Sequence, residues 1–167
     1  MRGGFLMRAL WLAFLVWLLA PAPAHALLCT PLLGCTCTVT AASVDFEAIA
    51  PLAGVGDAAG EVSVSCTGVI DIAPSIEVRL GSGQWGGIAQ RRMRGPGGAL
   101  LDYNLYSNTQ RTIIWGEGGA APSVMVSGGF LNLGAWSATR AIYARVSPQP
   151  TTRAGAYADT VTVRIVW

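Results

Sequence analysis

A chain of 167 residues, 52% of them hydrophobic, holds one ordinary domain with ample apolar material for its own core. All eleven basic residues are arginine; Arg2 and Arg8 belong to an N-terminal leader, and the remaining nine balance nine acids, so the apparent basic balance implies no nucleic-acid partner. The single histidine, His25, also lies in the leader, which removes Ser-His-Asp and Cys-His chemistry and the commonest transition-metal ligand from the rest of the chain.

Residues 1–26 have the parts of a secretory signal peptide. Arg2 and Arg8 are its positive region, residues 9–20 an unbroken apolar run, Pro21 and Pro23 its break, and Ala24-His25-Ala26 an A-x-A cleavage site. The run is shorter than the roughly 20 residues that span a bilayer. Leu28, before Cys29, is too large for lipoprotein cleavage. Cleavage after Ala26 leaves residues 27–167 as one exported domain with no membrane span.

Short strands and Gly-rich turns follow. Cys37-Thr-Val-Thr-Ala41 alternates toward Val44 and Phe46, and Glu61-Val-Ser-Val-Ser-Cys66 and Ile76-Glu-Val-Arg-Leu80 do the same. Residues 81–87 and 95–98 are Gly-rich loops, and neither joins a strand to a helix as a phosphate cradle requires. Arg91, Arg92 and Arg94 read as a solvated loop. Residues 101–106, 111–115 and 142–146 are further strands, with weaker signals at 124–126 and 130–133. In the last eleven residues, Val161, Val163, Ile165 and Trp167 share one strand face and Thr160, Thr162 and Arg164 the other, with Val166 the apolar exception. No window past the leader keeps a helical apolar stripe. The pattern predicts an all-β sandwich.

Four cysteines in an exported chain read as two disulfides with three possible connectivities. The strand pattern favours Cys37–Cys66, with Cys29–Cys35 closing a small N-terminal loop. Without histidine and without a second C-x-x-C, no metal site is assigned. Asp45, Glu47, Asp102 and Asp159 read as turn or surface carboxylates, with a glycosidase pair as the rival. No catalytic residue and no cofactor is assigned. Trp85, Trp115 and Trp136 are candidate surface aromatics for glycan stacking, with core packing as the alternative.

Leu101-Asp-Tyr-Asn-Leu-Tyr106 followed by Ile114-Trp-Gly-Glu-Gly118 resembles the central signature of the spore coat U (SCPU) domain family. The ending from Ala154 to Trp167 resembles that family's closing strand, and the stretches at 37–46, 60–66 and 91–94 fit in order. The resemblance covers nearly all of the mature chain. It implies a structural subunit of a Csu-type archaic chaperone–usher pilus that supports adhesion and biofilm formation. It implies an immunoglobulin-like sandwich lacking its last strand, completed by donor-strand exchange. The implied partners are a periplasmic chaperone, an outer-membrane usher and neighbouring subunits, with transit through the periplasm to the cell surface. Val161, Val163, Ile165 and Trp167 then form the strand that meets chaperone or subunit. Residues 27–36, with Pro31, Gly34 and two cysteines, are poor material for a donor strand. The alternative function is a self-complete secreted binding module or adhesin working through Trp85, Trp115 and Trp136.

Overall fold

A computed structural model describes residues 36–50, 52, 54–71, 75–128 and 132–166. Among them run eight strands: β1 (Thr36–Ala41), β2 (Gly56–Asp71), β3 (Ser75–Leu80), β4 (Arg91–Arg94), β5 (Leu100–Tyr106), β6 (Val124–Ser127), β7 (Asn132–Val146) and β8 (Val163–Val166). One sheet has the order β1-β2-β7-β5-β4 and the other β6-β3-β8, with every pairing antiparallel. The predicted all-β class holds. Among the described residues no helix is long and apolar enough to cross a membrane. The leader and the cysteines Cys29 and Cys35 lie outside the described residues, as does Trp167.

Period-2 alternation decides which side chains enter the core, because successive residues of a strand face opposite sides of the sheet. Val62, Val64 and Cys66 of β2, Ile76, Val78 and Leu80 of β3, and Ile142, Ala144 and Val146 of β7 are all buried. Each large aliphatic contributes about 1.5–3 kcal/mol relative to exposure. The hydroxyl-bearing neighbours Thr38, Thr40 and Ser65 face solvent. Cys37 and Cys66 are direct partners in the β1–β2 register and are joined by a disulfide, as the strand pattern favoured.

Three sequence expectations change. Residues 111–115 are a loop, not a strand. Asn108 Oδ1 accepts the backbone N–H groups of Thr112 and Ile113 at 3.0 Å each, and Arg111 sits at φ 56°, so the chain turns where a strand would run straight. Residues 157–162 do not pair as a strand with β3, although Ala158 bridges Arg94 of β4. The arginine cluster is strand β4, and Arg91 is fully buried.

Arg91 joins the sheets. Its Nε donates to Gly81 O at 2.8 Å, Nη1 to Asn104 Oδ1 at 2.6 Å, and Nη2 to Leu80 O at 3.0 Å and Trp115 O at 2.8 Å. Asn104 in turn donates to Ile88 O and Ala89 O and accepts from Leu105 N. Trp115, also fully buried, donates its indole N–H to Val78 O at 3.0 Å and its backbone N–H to Leu105 O at 2.9 Å. The network ties the ends of β3, β4 and β5 together, and its four acceptors around one guanidinium compensate the cost of burying a charge. Burial lowers the guanidinium pKa, and Tyr103, Asp159 and Glu117 oppose that shift.

Candidate functional site

One side of the sandwich is open. A groove of about 880 Å³ reaches the interior, and its floor comes from both sheets: Leu80 of β3, Tyr103 and Leu105 of β5, Ile142 and Val146 of β7, and Val163 of β8. Residues 41–49 form one rim, and residues 152–161, preceding β8, form the other. These floor residues are the ones that alternation sends inward; Leu80, Tyr103, Leu105, Ile142 and Val146 are buried beneath the groove, and Val163 is half-buried.

The edge of β8 borders this opening. β8 pairs with β3 on one side, and no strand among the described residues pairs with its other edge. A strand edge without a ladder partner offers a row of backbone N–H and C=O groups that one added strand would pair.

The rims are built differently. Residues 42–49 follow β1 without entering a ladder; after Ala42 N–H, which donates to Glu61 O at 2.9 Å, the segment is held by Val44, Phe46 and Ile49 packing on the core. Asp45 Oδ1 accepts the N–H of Glu47 at 2.8 Å, and Glu47 takes φ 54°. The other rim is pinned by main-chain bonds: Arg94 N to Ala158 O at 2.9 Å and Ala158 N to Arg94 O at 3.1 Å. Asp159 anchors it further, accepting Gln84 N–H at 2.9 Å and the Tyr103 hydroxyl at 2.7 Å. Gly83 is required beside it: φ is +83°, and a Cβ there would lie 2.0 Å from Asp159 Oδ2. Burial and the Asp159 hydrogen bond raise the Tyr103 phenol above its ordinary range, so it stays a donor through neutral pH.

The residues singled out from sequence are dispersed in part. Val161 and Val163 line the groove, Ile165 packs half-buried on the core, and Val166 on the opposite face is 39% exposed. Trp115 and Trp136 are corrected: at 0% and 7% exposure they are core residues and offer no surface for stacking. The β-sandwich interior is where large aromatic rings gain most from leaving water. Trp85 alone of the three reaches solvent, at 37%, with the Arg94 guanidinium 4.5 Å from its ring centroid. Asp45, Glu47 and Asp159 line the groove, whereas Asp102 pairs with Arg92 at 2.9 Å outside it. Asp159 accepts from two donors and Asp45 accepts the Glu47 amide. Among the described residues, no three His, Cys, Asp or Glu side chains cluster as a metal site would need.

Sequence reading missed Arg91, Asn104 and Tyr103. The one available signal was the alternation of Arg91 and Met93 with Arg92 and Arg94, which a strand assignment would have used. Trp85→Ala is expected to fold and oxidise normally, losing about 0.5–1 kcal/mol with the cation–π contact. Thermal melting of the chain, in whatever form accumulates in the periplasm, checks this against wild type in the same form, and a collapse of folding would place the ring in the core.

A family model described as the Spore Coat Protein U domain matches residues 24–164. No curated protein matches the chain. Among solved structures, the chain is similar to one in the CsuC–CsuE chaperone–tip adhesion subunit pre-assembly complex from the archaic chaperone–usher Csu pili of Acinetobacter baumannii, at 20% identity and a TM-score of 0.49. The similarity covers 80% of this chain and 40% of that one, so the chain spans less than half of its length.

Proposed function

The chain belongs to the Spore Coat Protein U domain family, and from that premise we propose that it is a structural subunit of a Csu-like surface pilus assembled by a chaperone and an usher. The observation that carries this is the groove, lined from both sheets and by Val161 and Val163 at β8, the strand whose second edge pairs with no other described strand. A strand with alternating apolar residues would place every second side chain on Leu105, Ile142 and Val163 and hydrogen-bond to β8. Val161, Val163 and Ile165 are the flanking contacts, with Trp167 continuing the series. A periplasmic chaperone supplies that strand first, and a neighbouring subunit replaces it in the fibre. Export, surface display, adhesion and biofilm support follow as parts of the same proposal. It assigns no catalytic residue and no cofactor. The rival reading, a self-complete adhesin using exposed aromatics, loses Trp115 and Trp136 to the core.

The test is periplasmic expression of the full chain with and without a Csu-type chaperone from the same genome, followed by pull-down. The expected result is a stable 1:1 complex, and aggregation when the chaperone is absent. A soluble, monodisperse monomer that ignores the chaperone would overturn the proposal.

A further inference from the structure

We infer that Tyr103 is a positioning residue that sets the separation of the two groove rims, and with it the fit of the strand that enters; this rests on the strand-completion reading above. Tyr103 is a floor residue, only 8% exposed, and it touches both rims. Its ring meets Phe46 of the 41–49 rim edge-on, with centroids 6.2 Å apart and planes at 73°. Its hydroxyl donates to Asp159 of the opposite rim at 2.7 Å. One rigid side chain therefore spans the opening and measures it.

The two ends of this span are unequal. Asp159 is fixed from a second direction by Gln84 N–H, and its neighbour Ala158 is fixed by the paired bonds to Arg94, so that rim is a rigid reference. The 41–49 rim lacks a ladder beyond Ala42, and Phe46 rests on the Tyr103 ring. The position of the ring thus dictates where the loosely held rim stands relative to the pinned one. With the hydroxyl latched, the ring under Phe46 is held in place before a strand arrives, and less ordering remains to be done when it does. Without the latch, the ring and Phe46 are free to shift together, and the incoming strand must order them itself.

The experiment uses complexes of full-length variants with the same-genome chaperone, tagged on the chaperone and challenged with excess untagged chaperone. Tyr103→Phe keeps the ring on Phe46 and removes only the latch. It is expected to release about tenfold faster than wild type, the scale of one lost hydrogen bond to a charged group. Asp57→Ala is the control: it breaks contacts to Arg145 and Arg111 away from the groove, and its release rate should stay within twofold. Melting temperatures of the same complexes separate the roles, because a merely structural Tyr103 would lower the melting temperature as Asp57→Ala does and leave release unchanged. Should Tyr103→Phe fail to accumulate, Asp159→Ala removes the same bond from the other rim and is read identically. Equal release of wild type and latch variants overturns the inference while the strand-completion reading stands; a wild-type chain that never holds the chaperone overturns both.

Discussion

Arg91→Ala is expected to abolish accumulation of the folded, oxidised chain. The substitution takes their guanidinium donor from three buried carbonyls, Gly81 O, Leu80 O and Trp115 O, and leaves Asn104 Oδ1 with the Leu105 N–H alone. Each buried group left unpaired costs about 1–3 kcal/mol, so the three carbonyls together cost about 3–9 kcal/mol. The upper part of that range reaches the whole margin of a domain, about 5–15 kcal/mol. Arg91→Lys retains the charge but offers a point of three donors in place of a planar fork, so it should recover part of the loss only. The measurement is periplasmic yield and urea unfolding of wild type, Arg91→Ala and Arg91→Lys in parallel, each co-expressed with the same chaperone. If Arg91→Ala unfolds within about 1 kcal/mol of wild type, the guanidinium is not the joint between the sheets. The same variants separate folding from strand capture, because Arg91 does not line the groove.

The second large effect concerns the disulfide between β1 and β2. Replacing both Cys37 and Cys66 with alanine is expected to cost on the order of 3 kcal/mol, the chain-entropy value for a bridge spanning 29 residues. The loss should be local before it is global. Among the described residues β1 pairs only with β2, so once the bridge is gone it is held there by one ladder. Residues 42–49, which continue from β1 as a groove rim, would loosen with it. Hydrogen exchange is the readout: protection of residues 36–41 should fall by more than tenfold while the central strand β7 keeps most of its own. Uniform loss across β1 and β7 would show one cooperative unit with no separate edge. Unchanged protection in β1 would show that the ladder suffices without the bridge.

The strands were legible where alternation was unbroken. Residues 61–66 and 76–80 could be assigned from sequence because Val62, Val64, Ile76 and Val78 recur at period 2 between polar neighbours, and the structure buries each of them. The Cys37–Cys66 pair was legible for the same reason: each cysteine occupies an inward position of its own strand, so register alone makes them neighbours. Residues 111–115 misled because an apolar run carries no mark of the Asn108 side chain that captures its amides. Trp115 and Trp136 were ambiguous because an indole suits an interior and a sugar face equally; what covers it decides, and that cover comes from residues distant in sequence. Arg91 was misread because a charged side chain between two others resembles a solvated turn until its acceptors are known.

Two kinds of information are therefore separate in this protein. By itself the sequence determined the all-β class, the inward positions of most strands, the likeness to the spore coat U family, and the face of the final strand that carries Val161, Val163 and Ile165. These depend on neighbours one to six residues apart, and a backbone of fixed pleat turns such spacing directly into sidedness. Only the tertiary structure decided that a groove lined from both sheets lies beside Val161 and Val163, that Tyr103 reaches Phe46 and Asp159 together, and that Arg91 is buried. Each of those depends on which strands lie side by side. Tyr103 and Asp159 are 56 residues apart, and Arg91 gathers acceptors from 10 to 24 residues away. Burying an arginine is favourable only once those acceptors have converged, and their convergence is a property of the packed sheets that no local pattern encodes.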